Sequence, residues 1–175
     1  MRSVITSANL IVGKDGATSV AGSSIGLSTQ EDRRRFHELR LKNDLILIGG
    51  NTARREPYKR TPIPLYILTH TKIRLQPKNQ LAKQFALTPS EMIKEIEVSF
   101  EPDKIDAINL LVEAGPALLL PMIEQKLVDN LYLTINLEKT GDNQISITDL
   151  TRGFELISRE NLPPCDFLHY KKLAK

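Results

Sequence analysis

The sequence predicts an α/β fold in which helices cover both faces of a mostly parallel sheet. Predicted strands and helices alternate along the chain, which is the order that such a sheet requires. The middle strands are short apolar runs, as expected of strands buried on both faces. The last two strands, 154–157 and 167–171, are predicted to close the sheet as an antiparallel pair. Because the chain has 175 residues, 41% of them hydrophobic, we expect one domain over residues 1–175.

The individual elements follow from apolar runs and from the residues that interrupt them. Besides the closing pair, strands are predicted over 3–11, 45–49, 65–69, 109–113 and 131–137. Three helices are predicted from their start signals: from a capping box at Ser28 to Lys42, from Pro89 to Ile96 with Ser90 as the cap, and from Gly115-Pro116 to Lys126, with Pro121 bending it or marking a later start. Residues 51–64 are predicted to form a loop, and most of 76–104 has no clear pattern.

The composition narrows the range of partners. The net charge is +3 and the isoelectric point is about 9.0, which favours an anionic small molecule as readily as RNA. Aromatic residues make up only 5% and no RNA-stacking motif is present, so we expect no nucleic-acid partner. No apolar run approaches the ~18 residues of a membrane span. The N-terminal residues also make a poor signal peptide, so no membrane partner is expected.

The chain contains one cysteine, Cys165, and three histidines. A single cysteine cannot form an internal disulfide, which favours a reducing, cytoplasmic setting. The spacing of these residues does not match a zinc site. We therefore predict no metal and interpret Cys165 as a packing residue.

Glycine-containing turns follow three predicted strands, at Gly13, Gly49-Gly50 and Gly115. Ligands of α/β sheets bind outside the carboxyl ends of the strands, and glycine allows the backbone to approach a ligand closely. The sequence therefore predicts a ligand site at this edge of the sheet.

The segment LLVEAGPALLL, residues 110–120, predicts a strand that turns into a helix at this edge. Free N–H groups at the start of that helix could hold a phosphate, because the helix dipole favours negative charge there. Pro116 has no N–H, so Gly115, Ala117 and Leu118 are the predicted donors. Glu113 either faces the ligand cleft or ends the strand in solvent, and the spacing favours neither.

The first predicted helix carries Arg33, His37 and Arg40 on one face. Such a face could bind a phosphate, for which the planar guanidinium is suited, although a solvated charged face is the commoner reason for this spacing. Asp15, in a Lys-Asp-Gly turn, is predicted to have a structural role.

Four motifs in order resemble the pyrimidine reductase family of riboflavin biosynthesis, whose fold is that of dihydrofolate reductase. VEAGPAL (112–118) resembles the family's V-E-G-G-P-[ST]-L, GKDG (13–16) its S-x-D-G, and KLVDNLYL (126–133) its G-L-V-D-E-L. The family's L-R block and its D-x-I-L-x-G-x-x-T block are matched by Leu39, Arg40, Asp44, Ile46, Leu47, Gly49 and Thr52. The resemblance covers about residues 3 to 137.

The resemblance implies a three-layer, dihydrofolate-reductase-like fold and an NADPH-dependent reductase of a ribosylaminopyrimidine phosphate, usually a homodimer. It places Glu113 and Asn9 at the reacting sugar. It also implies that Ser24 contacts the substrate and that Arg40 contacts the substrate phosphate.

The same resemblance implies where NADPH binds. It assigns the cofactor diphosphate to the helix start, at Gly115, Pro116, Ala117 and Leu118. Thr52 and Glu56 are placed near the nicotinamide half. The 2′-phosphate would suit Thr69 and Thr71 with Lys72, and Arg54 and Arg55 are rival candidates.

The sequence also departs from the family pattern. Ala114 replaces a glycine, Gly13 a serine, and Gly26 a tryptophan that is common in the first loop. The substrate segment D-D-P-x-L-T-x-R is shortened to residues 56–60, which leaves the substrate open. The zinc motifs of the associated deaminase, H-x-E and P-C-x-x-C, are absent from this sequence.

Two other hypotheses remain open. The first is reduction of a pterin or another carbonyl or imine, for which Glu31 or Asp32 could supply an acid on the first helix, as dihydrofolate reductases do. The absence of tryptophan and the E-A-G-P turn count against it. The second is a nucleotide-binding module without catalysis, which the shortened 56–60 segment favours.

Overall fold

The computed structural model describes residues 3–56, 58–71, 79–101 and 107–174. Within these ranges the strands are β1 (Ser3–Gly13), β2 (Ala17–Ser19), β3 (Leu45–Gly49), β4 (Leu65–Leu68), β5 (Ala82–Phe85), β6 (Ala107–Val112), β7 (Asn130–Asn136), β8 (Asp142–Gln144), β9 (Phe154–Leu162) and β10 (Cys165–Lys172). The α-helices are α1 (Gln30–Leu41), α2 (Gly50–Arg55), α3 (Pro89–Ser99), α4 (Pro116–Glu124) and α5 (Ile147–Thr151), and a 3-10 turn spans Ser24–Gly26.

The main sheet has eight strands in the order β5-β4-β3-β6-β1-β7-β10-β9. The strands from β5 to β7 run parallel, while β10 is antiparallel to both β7 and β9. The predicted mostly parallel sheet with an antiparallel C-terminal pair is confirmed. Because β1, β3, β4 and β6 are parallel, their carboxyl ends meet at one edge.

The core has two parts, one on each face of the sheet. On one face, α3 and α4 bury apolar side chains such as Leu119 against the strands. On the other face, Ile46 of β3 packs near Ala53 of α2. The α1 helix covers that same face, where the guanidinium of Arg35 lies 4.0 Å from the centre of the Phe167 ring. The helices thus cover both faces, as predicted.

The N-caps of two helices differ from the prediction. The N-cap of α1 is Thr29, whose side chain accepts a hydrogen bond from the Asp32 amide, so a cap at Ser28 is wrong by one residue. The N-cap of α3 is Thr88, not Ser90, because Thr88 forms a reciprocal capping box with Glu91 and leaves Pro89 in the first turn.

The α4 helix ends at Glu124 rather than at Lys126, and Pro121 lies inside it instead of marking a later start. Strand β4 ends one residue before the predicted Thr69.

Several short elements escaped the sequence prediction. The predicted loop over 51–64 contains most of α2, and the unassigned stretch 76–104 contains β5. Strands β2 and β8 pair as a separate small sheet beside the first turn. In this turn Asp15 accepts hydrogen bonds from the amides of Ala17 and Gly141, which is the structural role expected of it. Gly16 has φ +81°, and a Cβ there would lie 2.2 Å from the Ile145 carbonyl oxygen.

Candidate active site

A cleft of about 1210 Å³ lies at the carboxyl ends of the parallel strands and is lined by residues of α1, α2 and α4. All residues assigned above to substrate or cofactor line it: Asn9, Ser24, Arg40, Thr52, Glu56, Thr69, Thr71, Glu113, Gly115, Pro116, Ala117 and Leu118. The rivals Arg54 and Arg55 line it as well. Lys72 lies outside the described residues. The topology therefore brings every described candidate to one cavity.

Glu113 lies directly after β6, and its side chain is only 1% exposed. Its Oε1 accepts a hydrogen bond from Arg40 Nε at 2.7 Å, and its Oε2 accepts from Arg40 Nη2 at 2.7 Å. The hydroxyl of Tyr58 donates to Oε2 at 2.6 Å. Glu113 thus faces the cleft rather than solvent, and a two-pronged guanidinium contact compensates its charge.

Arg40 is held in place by this pairing. Its side chain is 24% exposed, and its guanidinium lies 5.3 Å from the centre of the Tyr58 ring. Two of its three nitrogens are engaged by Glu113. The contact with a substrate phosphate stays a prediction, and the structure adds a second task, which is to neutralise a buried carboxylate.

Tyr58 is the functional candidate that sequence reasoning missed. It lies in the shortened 56–60 segment, which was interpreted as a loss of substrate contacts. Burial raises the pKa of the Tyr58 hydroxyl well above its usual value, and the Glu113 carboxylate raises it further. Tyr58 therefore keeps its proton and acts as a fixed donor to Glu113. An aromatic residue in a short loop between charged residues was the only signal.

Glu56 connects α2 to the turn that carries Ser24. One carboxylate oxygen, Oε1, accepts hydrogen bonds from the Ser23 hydroxyl, the Ser24 amide and the Ser24 hydroxyl, each at 3.1 Å. The predicted substrate residue Ser24 and the predicted nicotinamide residue Glu56 are thus direct neighbours. Their bonds fix the position of the loop at the cleft.

The start of α4 has the features of an anion site. Gly115 is its N-cap and provides no side-chain hydrogen bond, and a Cβ on Gly115 would meet nothing within 4 Å. The Leu118 amide already donates to the Gly115 carbonyl oxygen at 3.2 Å, which removes one of the three predicted donors. The amides of Gly115 and Ala117 have no hydrogen-bond partner in the described chain and remain for a ligand.

The two predicted sites for the 2′-phosphate, Arg54 and the Thr69–Thr71 segment, are in direct contact and form one cluster. Arg54 Nη1 donates to Thr71 Oγ1 at 3.1 Å, and the Thr69 and Thr71 hydroxyls lie 2.9 Å apart. Gly50 leaves room for this contact, because a Cβ there would lie 2.6 Å from Thr69 Oγ1. Hydroxyls and a guanidinium thus meet at the cleft surface, which is a donor set that suits a phosphate.

The two acidic residues proposed for α1 differ sharply in environment. Asp32 is 2% exposed and lines the cleft, and burial raises the pKa of its carboxyl against the opposing hydrogen bonds of Ser28 and Thr134. Its Oδ2 accepts from the Ser28 hydroxyl at 2.7 Å, whereas Oδ1 is buried with no partner among the described residues. Hydrogen bonds from Arg34 and then Arg35 lower the pKa of Glu31 to about 2 at the surface.

Replacing Asp32 with asparagine is expected to stabilise the protein at neutral pH. The folded-state pKa is raised, so the favourable contribution of Asp32 is complete below its ordinary pKa of 3.8 and is lost as the pH rises through the folded-state pKa. In urea unfolding, the free energy of unfolding of Asp32→Asn should exceed that of the wild type at pH 7, and the difference should shrink toward pH 4. The control Glu31→Gln should instead lower the free energy of unfolding, since the pKa of Glu31 is lowered in the folded protein. A less stable Asp32→Asn at pH 7 would contradict this account.

The cleft carries more positive than negative side chains. Arg33, Arg55 and Arg60 line it and form no ion pair with an acidic residue in the described part of the chain. Arg34 and Arg35, outside this cleft, pair with Glu31 and other acidic residues instead. The predicted face of Arg33, His37 and Arg40 does point to the cleft. The net positive lining favours an anionic ligand.

Packing explains two of the departures from the family pattern, Gly13 and Gly26. A Cβ on Gly13 would lie 2.7 Å from the Lys139 carbonyl oxygen, and one on Gly26 would lie 2.7 Å from Val20 Cβ. Neither position has room for a side chain. Ala114 is 4% exposed and is not among the described non-glycine residues with positive φ, so its side chain is accommodated without backbone strain.

The described residues contain no group of three or more His, Cys, Asp or Glu side chains that could hold a metal ion. Cys165 is buried, and burial raises the pKa of its thiol, which agrees with a packing role. None of the helices in the described ranges is both long and apolar enough to cross a membrane.

Comparison with known protein families identifies the family of this chain. The model of the family described as the RibD C-terminal domain matches residues 5–152. The chain belongs to this family. The match takes in all the described cleft residues, and it confirms the resemblance that the four ordered motifs predicted. No curated protein sequence matches this chain significantly.

Solved structures agree on the fold. A pyrimidine reductase-like protein from Corynebacterium diphtheriae is 17% identical, with a TM-score of 0.75 over 98% of this chain and 92% of that one. A diaminohydroxyphosphoribosylaminopyrimidine deaminase/5-amino-6-(5-phosphoribosylamino)uracil reductase from Thermotoga maritima is 12% identical, with a TM-score of 0.74 over 98% of this chain. The chain spans only 57% of the length of that protein.

The third similar structure is dihydrofolate reductase from Enterococcus faecalis, complexed with NADP(H) and RAB-propyl. It is 14% identical and has a TM-score of 0.67 over 96% of each chain. The dihydrofolate-reductase-like fold predicted from the sequence is thus confirmed.

Proposed function

We propose that this protein is an NADPH-dependent reductase that acts on a ribosylaminopyrimidine phosphate and opens its sugar to a ribityl chain. The observation that carries the proposal is the single cleft in which the family's motif residues meet an uncapped helix start. Family membership supports a reductase of the riboflavin pathway. The names of the Thermotoga maritima and Corynebacterium diphtheriae proteins support a pyrimidine substrate.

The residues of the chain fit the cofactor that this function needs. The amides of Gly115 and Ala117 provide donors for a diphosphate, and the open space at Gly115 allows close approach. The Arg54, Thr69 and Thr71 cluster would hold the 2′-phosphate that distinguishes NADPH from NADH. When bound, NADPH supplies a hydride.

The substrate end of the cleft is the part that Glu113 and Asn9 occupy. Reduction of the open-chain imine at C1 needs one hydride and one proton, and the protein must hold the sugar in one orientation. The hydrogen bonds from Arg40 and Tyr58 fix the position of the Glu113 carboxylate. The carboxylate could then accept hydrogen bonds from sugar hydroxyls in a fixed geometry. Ser24, tied to Glu56, would contact the substrate from the opposite loop.

Turnover assays test this proposal directly. The purified protein should consume NADPH, followed by absorbance, when given 5-amino-6-(5-phosphoribosylamino)uracil or its 2-amino counterpart. Ribityl product should form in equal amount. Binding of NADPH without turnover of either compound would support the module without catalysis, and absence of NADPH binding by folded protein would overturn both hypotheses.

Replacing Arg54 with glutamine is expected to weaken the binding of NADPH but not that of NADH. Loss of a charge-assisted bond to the 2′-phosphate should raise the KM for NADPH by about 10- to 100-fold and leave the KM for NADH nearly unchanged. Arg34→Gln is the matched control, because Arg34 pairs with Glu31 and Glu38 away from the cleft. An equal effect on both dinucleotides, or an effect of Arg55→Gln alone, would reject this assignment.

One observation favours the second candidate function, reduction of a pterin. Asp32, and not Glu31, is the acidic residue of α1 that is buried in the wall of the cleft. A dihydropterin included in the same NADPH assay decides between the two, since turnover of the pterin alone would favour this alternative.

A further inference from the structure

A second cavity, of about 220 Å³, lies beside α1 and is lined by residues of that helix and of strands β1, β7, β9 and β10. The cleft lies against the α1 face that carries Arg33, His37 and Arg40. The cavity lies against a different face of the same helix, whose residues repeat the i, i+4, i+7 spacing: Arg35, Leu39 and Lys42. Helix α1 therefore separates two sites.

The floor of the cavity is a row of polar side chains that crosses four strands. Its members are paired in register from β1 to β9, and all of them line the cavity: Asn9, Tyr132, His169 and Ser158. The Tyr132 and His169 rings are stacked, with centres 4.4 Å apart and planes 6° from parallel. The His169 Nε2 atom also lies 3.1 Å from Asn130 Oδ1.

The stacking leaves one face of the His169 ring uncovered. Tyr132 covers the face toward β7, whereas the residue directly opposite on β9 is Ser158, whose side chain is too small to cover the other face. Ser158 is exposed, so this face is open to solvent at the edge of the sheet. The row of rings thus ends at a gap into which a further planar ring would fit.

The unpaired polar groups near this gap are hydrogen-bond donors. The acidic lining residues Glu38 and Glu160 are already bonded to arginines of α1, and the third, Asp32, lies at the opposite end of α1 from Lys42. The exposed Lys42 ammonium has no ion pair, and the Tyr132 hydroxyl no hydrogen bond, with any described residue. Both groups can donate to a ligand oxygen. This end of the cavity therefore favours an anionic ligand.

We propose that this cavity is a second ligand site, which takes a planar aromatic carboxylate with its ring against His169 above Ser158 and its carboxylate toward Lys42. The volume of about 220 Å³ is below the roughly 300–1,000 Å³ of pockets for larger ligands, which limits the ligand to one or two fused rings. The site is separate from the cofactor and substrate positions proposed above.

The shared helix determines how the two sites influence each other. Asp32 and Phe36 line both the cleft and the cavity, and α1 also carries Arg40, which holds Glu113. A ligand in the cavity should therefore change the affinity for NADPH only by a limited factor that levels off at saturation. A ligand that entered the cleft itself would instead displace NADPH completely.

Calorimetric titration with 2-naphthoate tests this site. The wild type should bind it with a Kd of about 1 mM or below, the affinity expected of a ligand of this size. Ser158→Phe places a ring of the chain itself in the gap and should weaken binding at least about 10-fold. The titration should give a similar Kd in the presence of saturating NADPH, within about 10-fold of the value without it.

A second variant tests the carboxylate separately from the ring. Lys42→Gln should weaken 2-naphthoate by about 3- to 10-fold, because a charge-assisted bond is lost at an exposed position. The neutral 2-naphthamide should bind the wild type and Lys42→Gln equally. Lys139→Gln, in the exposed turn after β7, is the matched control and should bind 2-naphthoate like the wild type.

Three results would each overturn the second site: no binding of 2-naphthoate to the wild type at about 10 mM, unchanged affinity in folded Ser158→Phe, or complete displacement by NADPH. Thermal unfolding checks the fold of Ser158→Phe, and the comparison of 2-naphthoate with 2-naphthamide does not depend on that variant. All of these results leave the reductase proposal standing, because none of them measures turnover.

Discussion

Replacing Arg40 with methionine is expected to lower the free energy of unfolding by about 3 kcal/mol. Methionine keeps the apolar part of the side chain but removes the cation that neutralises Glu113, a carboxylate with 1% exposure. Only the Tyr58 hydroxyl would then remain as a side-chain donor from the present set. An unpaired buried carboxylate is costly because the protein interior solvates charge poorly.

Urea denaturation of a double-mutant cycle measures this effect. Glu113→Gln alone should lower the free energy of unfolding less, since Arg40 can be reached by water. The double variant Arg40→Met/Glu113→Gln should recover much of the stability that Arg40→Met loses. Arg34→Met serves as the surface control, with an expected change within about 0.5 kcal/mol. A single Arg40→Met variant as stable as the wild type would show that Glu113 does not depend on this partner.

Replacing Ala117 with aspartate is expected to abolish NADPH binding while preserving the fold. Ala117 is exposed at the second position of α4, next to the free amides proposed for the diphosphate. A carboxylate there would repel the diphosphate by about 4 kcal/mol at 4 Å, which corresponds to a loss of more than about 100-fold in affinity. The same carboxylate favours the positive end of the helix dipole by about 0.3–1 kcal/mol.

Fluorescence titration with NADPH and thermal unfolding, measured on the same samples, separate the two effects. Ala117→Asn provides the neutral control of nearly equal size and should retain most of the affinity. Unchanged NADPH affinity in Ala117→Asp would remove the start of α4 from the cofactor site.

The sequence predicted those parts of the fold that depend on strong local signals. The apolar runs of β1, β3, β6 and β7 located the sheet, and the V-E-A-G-P turn located the cleft. The caps were misplaced by one or two residues because hydroxyl residues stand side by side, at Ser28-Thr29 and at Thr88 and Ser90. Only the three-dimensional position of the first turn decides which hydroxyl accepts the amide hydrogen bond.

The short elements β5 and α2 could not be predicted from their own residues. Strand β5 is stabilised by pairing with β4, and none of its side chains is fully buried. Helix α2 has six residues, too few for a stable isolated helix, so its formation depends on packing against β3 and β4.

The sequence predicted which residues form the candidate site, but not which of them are hydrogen-bonded to each other. Sequence and resemblance named Arg40 and Glu113 separately, 73 positions apart, and their direct bond follows only from the parallel arrangement of β3 and β6 beside α1. Tyr58 was missed because no motif or spacing connects a loop tyrosine to the end of a distant strand. The sequence also could not show that Oδ2 of Asp32 accepts a hydrogen bond while Oδ1 has no partner among the described residues, because a helix position does not reveal how a side chain is bonded.

The unpaired arginines of the cleft have a consequence for how a ligand arrives. Attraction by Arg33, Arg55 and Arg60 acts through water and is screened over about 8 Å at physiological ionic strength. Added salt should therefore slow the capture of a polyanionic nucleotide. Glu113 is buried, so the Arg40–Glu113 contact should be much less sensitive to the same salt, and the shape of this end of the cleft should be retained.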